Sequence, residues 1–317
     1  MYGPTTGHFE ADEADVLITA SEAQNYLGQH QLGVAGDLNE DGFEDVYVGA
    51  IYYDGSYTYA GMLAAFYGPL SGTLALEDAD VQITGTTNYR YVGYASDFAD
   101  IDGDGTLDAL FSEPNANTAY GVLGPLSGSL TAADASITIA STDSDFTGGH
   151  LHTGDMNGDG HLDLAITAHL DDTDLSNAGQ LSVLYGPISG SLTTDTATFS
   201  VYGTEENSYL GGPSYALTVA DLDDDGCDDL FIGEPTNDVL AENAGSGYLF
   251  YGPLSGVGGT AFDSADRILL GETTADALGW GSDVADLNDD GVLELVFTAR
   301  GGDSYYGLIY AMSADAL

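Results

Sequence analysis

The sequence predicts an all-β fold built from five successive repeats of four short strands. Two recurring markers define the repeats. A nine-residue acidic segment with glycine at its sixth position occurs five times, with starting points 63, 55, 66 and 65 residues apart. The segment Y-G-P-L-S-G, or a close variant, recurs in phase with it from Tyr67, Leu123, Tyr185 and Tyr251. Between the markers, short apolar runs bounded by Gly or Pro indicate strands, and no helical periodicity competes with them.

The fourth repeat shows the expected strands well, at residues 198–203, 214–221, 229–234 and 247–253. Its acidic segment joins the second of these strands to the third. Four-stranded units of this length, repeated radially, form a β-propeller. We therefore expect a single five-bladed domain over residues 1–317, with repeats at about 8–72, 73–128, 129–190, 191–256 and 257–317.

Each acidic segment has the composition of a loop that binds a hard cation. Side-chain oxygens at positions 1, 3, 5 and 9 and a backbone carbonyl at position 7 can surround one ion if the chain turns sharply at the glycine. Ca²⁺ accepts roughly 6–8 oxygen ligands in a tolerant geometry, whereas Mg²⁺ requires an octahedron. We therefore predict up to five calcium sites.

The predicted ligands are Asp37, Asn39, Asp41, Phe43 and Asp45 in loop 1; Asp100, Asp102, Asp104, Thr106 and Asp108 in loop 2; Asp155, Asn157, Asp159, His161 and Asp163 in loop 3; Asp221, Asp223, Asp225, Cys227 and Asp229 in loop 4; and Asp286, Asn288, Asp290, Val292 and Glu294 in loop 5. An EF-hand begins similarly but needs glutamate at position 12, where this chain has apolar residues within strand-like runs. Plain acidic turns are the other explanation, and five copies in register argue against it.

The order of these motifs resembles the FG-GAP repeat of integrin α-subunits and of many secreted bacterial proteins. An aromatic-x-Gly segment such as Tyr91-Val92-Gly93 precedes the acidic loop, and a segment such as Gly233-Glu234-Pro235 follows it. The resemblance implies a calcium-binding propeller used in adhesion or ligand binding. Integrin propellers have seven blades, whereas five repeats are visible in this chain.

The strand order of that family also bears on closure of the ring. In that strand order, residues 15–20 are an outer strand that comes before the other strands of the first repeat. The chain ends after residues 307–313, which are the third strand of the last blade, so that no outer strand follows them. The N-terminal strand could therefore complete the C-terminal blade, within the chain or between neighbouring molecules. Pairing between molecules would produce a fibre.

The composition limits the location and the partners. Fifty-two acidic residues against three arginines and no lysine give a net charge of −49, which disfavours binding to nucleic acid or to anionic membranes. No apolar run suits membrane insertion, and the single cysteine allows no intrachain disulfide. Because low-affinity calcium loops function where calcium is plentiful, we expect an extracellular location. The opening Tyr2-Gly3-Pro4 resembles the end of a repeat and suggests a piece of a longer protein.

The sequence contains no evident catalytic constellation, so we expect a non-enzymatic protein. His150, His152, His161 and His169 fall within one repeat, but their spacing favours isolated histidines over a transition-metal site. The 21 tyrosines and Trp280 could form a sugar-binding face, although packing between blades is favoured.

The expected function is an adhesion or ligand-binding module whose partner is an extracellular protein or glycan. Two alternatives stay open. One is a structural subunit of a filament or surface coat that self-associates by strand exchange. The other is an accessory domain of a secreted polysaccharide-degrading enzyme.

Overall fold

A computed structural model describes residues 14–20, 25–141, 145–212, 217–301 and 307–314. Within these residues the antiparallel strands form five sheets in chain order, and each sheet runs from an innermost to an outer strand. Sheet 1 contains β2 (Leu32–Gly36), β3 (Asp45–Ala50), β4 (Met62–Phe66) and β6 (Val81–Thr84); sheet 2 contains β7 (Ser96–Ala99), β8 (Asp108–Glu113), β9 (Thr118–Val122) and β11 (Ile137–Ala140); sheet 3 contains β12 (Thr147–Gly154), β13 (Asp163–Ala168), β14 (Gln180–Leu184) and β16 (Phe199–Tyr202); sheet 4 contains β17 (Leu217–Ala220), β18 (Asp229–Glu234), β19 (Ser246–Phe250) and β21 (Arg267–Leu270); and sheet 5 contains β22 (Leu278–Ala285), β23 (Glu294–Ala299) and β24 (Leu308–Ser313).

An additional strand follows each Gly-Pro turn and pairs in parallel with the preceding outer strand. The four parallel pairs are β1 (Val16–Thr19) with β5 (Gly72–Ala75), β6 with β10 (Gly128–Leu130), β11 with β15 (Gly190–Thr193), and β16 with β20 (Gly256–Thr260). Short helical segments separate these strands from the next outer strand: Leu76–Asp78, Ala132–Asp134, Thr194–Thr196 and Ala261–Ser264. A further turn of this kind covers Pro114–Ala116. The prediction of four strands per repeat omitted the parallel strand, because its short, exposed, Gly-rich sequence lacks apolar alternation.

The apolar core lies between consecutive sheets. The second strands of sheets 2, 3 and 4 are buried along their whole length, because another sheet covers each face. Phe111 packs between sheets 1 and 2, Leu164 between sheets 2 and 3, Leu230 between sheets 3 and 4, and Phe297 between sheets 4 and 5. The innermost strands contact one another in series from β2 to β22. The burial of the second strands on both faces explains why their sequences are continuous apolar runs.

The two ends of the array differ from the internal junctions. Leu32 in sheet 1 is 67% exposed, whereas its counterpart Leu217 in sheet 4 is 8% exposed. Ile309 in sheet 5 is 76% exposed, whereas its counterpart Leu181 in sheet 3 is fully buried. Within the described residues, sheet 5 has three strands and β1 pairs with β5 and not with β24. The described part of this single chain therefore shows half of the pairing expected of an outer strand: β1 pairs with the parallel strand β5, and no β1–β24 pair closes the array.

The structure does not bring the four histidines of the third repeat together in one cluster of potential metal ligands. His169 is buried against the ring of Phe146, with ring centroids 4.8 Å apart, and burial lowers the pKa of His169 to about 4. His152 Nδ1 lies 3.2 Å from the Thr153 carbonyl oxygen, and His161 is exposed. No cluster of potential metal ligands found in the described residues contains a histidine.

In that part of the chain, no helix is both long enough and apolar enough to cross a membrane.

Candidate calcium loops

The five acidic loops occupy equivalent places in the five sheets. Each loop connects the innermost strand of its sheet to the second strand, so all of them follow the same end of the innermost strands. The sixth residue of every loop is a glycine with φ between 85° and 94°, and no atom lies within 4 Å of a Cβ built there. Glycine is therefore required for its left-handed backbone and not for lack of space. This turn confirms the role that the sequence assigned to Gly42 and its four counterparts.

The first aspartate of each loop organises the loop backbone. In loop 1, the amide of Asp41 donates to Asp37 Oδ1 at 2.9 Å, and the amide of Gly42 donates to Asp37 Oδ2 at 2.8 Å. Asp100, Asp155, Asp221 and Asp286 accept the same two bonds in their own loops, at 2.8 to 3.2 Å. These bonds fix the backbone of each loop around the carboxylate of its first aspartate.

The ninth residue of the loop connects it to the second sequence marker. Asp229 Oδ2 accepts from the amide of Leu222 at 2.9 Å, and Asp229 Oδ1 accepts from the amide of Gly252 at 2.8 Å. Asp45 and Asp108 bridge in the same way to Gly68 and Gly124. In loops 1 to 4, the ninth side chain therefore connects the acidic loop to the Gly-Pro turn that follows the third strand. In the sequence, the acidic segment and the Y-G-P-L-S-G segment recur in step with each other, which agrees with this contact. Their spacing alone did not identify the two residues that form it.

Buried carboxylates make these loops unfavourable places for uncompensated negative charge. Burial raises the pKa of Asp163 and of Asp229 to about 6, and the nearby Asp159 and Asp223 carboxylates contribute in the same direction. Backbone amides from Gly186 and Gly252 oppose the shift by donating to the ionised carboxylates. A bound divalent cation would compensate the same charge more completely.

The donor arrangement fits a divalent cation. One carboxylate oxygen each from Asp100, Asp102 and Asp108 lies within 4.8 Å of the others, and Asp221, Asp223 and Asp225 form the same kind of cluster. In loop 3, the buried Asp163 Oδ2 has no hydrogen-bond partner. Loops 1, 3 and 5 have asparagine at the third position, so an amide oxygen would replace a carboxylate there. An all-oxygen set of this kind suits Ca²⁺.

The seventh residues were predicted to contribute only their carbonyl oxygens. Their amides donate to the carboxylate at position 5, at 2.8 to 3.0 Å, which fixes the backbone on either side of the predicted carbonyl ligand; the residues are Phe43, Thr106, His161, Cys227 and Val292. Coordination by these carbonyls stays a prediction.

Neighbouring loops also contact each other. The amide of Asp155 in loop 3 donates to Asp228 Oδ2 at 2.7 Å, and the amide of Asp228 in loop 4 donates to the Asp155 carbonyl oxygen at 2.8 Å. The Leu254 amide, beyond the Gly-Pro turn of sheet 4, donates to the Met156 carbonyl oxygen in loop 3 at 3.1 Å. An ion in one loop would therefore stabilise the junction between two sheets as well as its own loop.

Comparisons with known proteins identify the repeat type. No curated protein matches the chain. Two solved structures match with low identity: the biofilm matrix protein Bap1 of V. cholerae (14% identity, 75% of this chain and 38% of that chain, TM-score 0.34) and the exotype rhamnogalacturonan lyase YesX (13% identity, 90% of this chain and 54% of that chain, TM-score 0.39). The chain thus spans about half or less of the length of these two structures. A sequence model of the FG-GAP repeat matches residues 147–184 and 214–250. The chain therefore contains two FG-GAP repeats, and these include the third and fourth acidic loops.

Proposed function

We propose that this protein is a non-enzymatic, extracellular module that binds up to five Ca²⁺ ions and presents a rigid surface to a protein or glycan ligand. The observation that carries the proposal is the repetition of one loop geometry at five equivalent positions, with backbone hydrogen bonds that join loop 2 to the Gly-Pro turn of sheet 3 and loop 3 to loop 4. Calcium bound there would stiffen the junctions between sheets. FG-GAP repeats are typical of extracellular proteins, which supports the location.

The proposed architecture is a five-bladed propeller in which β1 completes sheet 5. Sheet 5 has no fourth strand among the described residues, and β1 occupies the place that β6, β11 and β16 occupy against the parallel strand of the next repeat. The other outer strands also pair with the third strand of their own sheet. Pairing of β1 with β24 would extend this pattern to the last junction and cover two strand edges.

The number of calcium sites provides the test. Calorimetric titration of calcium-free protein should give five ions per chain, and the Asp159→Ala variant should give four, because Asp159 belongs to the third loop alone. The other four sites should keep their affinities within about threefold, because the hydrogen bonds between loops 3 and 4 involve Asp155 and Met156 of loop 3 and not Asp159. A wild-type protein that binds no calcium would contradict the proposal.

A filament subunit is the second candidate, and the open ends of the array favour it. An apolar groove of about 590 Å³ on the outer side of sheet 1 is lined by residues that include Ile18, Leu32 and Val48, and the exposed Ile309 lies on the opposite end of the array. Internal junctions bury these equivalent positions against the adjacent sheet. If the last junction formed between molecules, it would repeat head to tail and generate a polymer.

Light scattering separates the two candidates. A single-chain module should keep the mass of a monomer, 32.8 kDa, when calcium is added to dilute protein. A filament subunit should show a mass that rises with calcium and with protein concentration. The Leu32→Asp variant should abolish that rise, because it places a charge at the contact between copies.

A further inference from the structure

A groove on the outer part of sheet 1 has an unusual composition for this protein. It has a volume of about 530 Å³ and is lined by residues that include Tyr53, Tyr57, Gln82, Thr84, Ser129 and Thr131. None of its lining residues carries a charge, although 52 of the 317 residues in the chain are acidic. The groove is therefore a neutral, hydroxyl-rich surface on a strongly acidic molecule.

The loop between β3 and β4 supplies the tyrosines, and equivalent loops in sheets 3 and 4 have the same backbone. Asp54 Oδ1 accepts from the Tyr59 amide at 2.6 Å. The pairs Asp172 with Asn177 and Asp238 with Asn243 repeat this bond at the same distance. The residue that donates the amide has φ of 50°, 48° and 52° in the three loops. The three loops can therefore be compared position by position.

This comparison singles out the first loop. Tyr53 stands where sheets 3 and 4 have Asp171 and Asn237, and Tyr57 stands where they have Leu175 and Ala241. Tyr59 occupies the left-handed position that the other two loops fill with asparagine, which adopts this conformation more readily than other non-glycine residues do. The tyrosines are thus a property of the first loop and are not required by its backbone conformation.

The loop is held in place from behind. The Thr58 amide donates to Asn88 Oδ1 at 3.0 Å, and the Tyr89 amide donates to the Thr58 carbonyl oxygen at 2.8 Å. The ring of Tyr59 packs on those of Tyr52 and Tyr89, with centroids 5.1 and 5.7 Å apart. Tyr57 remains 44% exposed at the groove. The loop that carries Tyr57 is therefore ordered before any ligand binds, which lowers the entropic cost of binding.

The opposite wall of the groove offers fixed polar groups. Gln82 Nε2 donates to the carbonyl oxygens of Glu77 and Ala79, at 2.8 and 3.2 Å, so its side chain is held in one position. Ser129 adds a hydroxyl group from the parallel strand β10, and the hydroxyl of Thr131, the residue after that strand, is held by donating to Asp134 Oδ2 at 3.0 Å. The counterpart groove beside sheet 3 has about 280 Å³, and Asp195 is among its lining residues. The larger, uncharged version occurs beside sheet 1.

We propose that this groove binds a neutral carbohydrate chain. The ring of Tyr57 would pack against the apolar face of a sugar ring, because a tyrosine side chain combines an apolar ring with a polar hydroxyl group. Hydroxyl and amide groups on the opposite wall would bond the sugar hydroxyls. The net charge of −49 would repel acidic polymers. This inference rests on the proposed ligand-binding function and assigns its ligand to a particular class and place.

Native affinity electrophoresis tests the assignment. The calcium-loaded protein is run through gels that contain β-glucan, galactomannan or arabinoxylan as neutral polymers, and through gels with alginate as an acidic one. We expect at least one neutral polymer to retard the wild-type protein and alginate to have no effect. Tyr57→Ala should weaken the retardation about tenfold, which is the loss of one aromatic contact of roughly 1.4 kcal/mol. Tyr57→Phe should bind like the wild type, because the ring is retained.

Leu175→Ala changes the equivalent position beside sheet 3 and is the matched control, which should bind like the wild type. The Tyr57 variants should keep the calcium stoichiometry and melting temperature of the wild type, so a misfolded variant would be recognised. Failure of every neutral polymer to retard the protein, equal retardation by alginate, or unchanged binding by Tyr57→Ala would each overturn the inference. In those cases an intact calcium titration would show that the module itself still functions as proposed.

Discussion

Removal of calcium with EGTA is expected to lower the melting temperature by about 20 °C or more, and added Ca²⁺ should restore it. A ligand that binds only the native state stabilises it by about 2.7 kcal/mol per site at 100 times its dissociation constant. Five loops would then contribute on the order of 10 kcal/mol, and roughly 1 kcal/mol changes the melting temperature of a protein larger than 150 residues by about 2–4 °C. Differential scanning calorimetry in calcium and in EGTA measures the difference.

Electrostatic repulsion adds to this effect. Seventeen carboxylates stand at predicted ligand positions, and five divalent ions would bring the net charge from −49 only to −39. Salt at about 1 M, which screens charges beyond roughly 3 Å, should recover part of the lost stability without calcium. Mg²⁺, at the concentration used for Ca²⁺, should restore less of the melting temperature than Ca²⁺ does, because Mg²⁺ requires octahedral coordination. An unchanged melting temperature in EGTA would remove the claim that the loops bind calcium.

The Asp229→Ala variant is expected to lose about 3 kcal/mol or more of unfolding free energy in the presence of calcium. Asp229 is 1% exposed and accepts hydrogen bonds from the amides of Leu222 and Gly252. Each buried donor left without its partner costs roughly 1–3 kcal/mol, and the fourth calcium site loses a ligand as well. Urea denaturation monitored by tyrosine fluorescence measures the change.

Asp225→Ala is the matched control for that variant. Asp225 is an exposed predicted ligand of the same loop whose carboxylate accepts from the Cys227 amide, so its loss should weaken calcium binding without leaving a buried amide unpaired. We expect the Asp225 variant to lose less than half as much unfolding free energy as the Asp229 variant. Equal losses would mean that the link between the loop and the Gly-Pro turn contributes nothing to stability.

The strands of the fourth repeat show how far sequence reasoning extends. The second strand of its acidic hairpin was predicted at residues 229–234 and is β18, Asp229–Glu234. The adjacent outer strand was predicted at residues 198–203 and is β16, Phe199–Tyr202. Both runs are short, apolar and bounded by turn residues, so local sequence decides them. The prediction was incomplete for β20, because a strand of five residues that contains three glycines, four of its residues exposed, gives no apolar pattern.

The candidate site divides in the same way. The predicted loop ligands and the turn at glycine lie within nine consecutive residues, so the sequence suggested both directly; the structure confirms the turn, and coordination of an ion stays a prediction. The link from Asp229 to Gly252 joins residues 23 apart, and only the folded sheet brings them together. The groove beside sheet 1 combines residues from three separated segments, namely 53–62, 82–86 and 129–131. Its lack of charge became visible only when those segments were placed side by side.

The sequence by itself determined the five-fold repetition, the all-β composition and the chemistry of the acidic loops, because each depends on contacts between residues close together in the chain. The tertiary structure decided the burial of the ninth loop residue, the parallel pairing of β1 with β5 and the two open ends of the array. These features depend on contacts between repeats, and repeats that resemble one another can be joined in more than one way. The exposure of Leu32 and Ile309 therefore depends on how the sheets are arranged, and the sequence of a single repeat does not determine it.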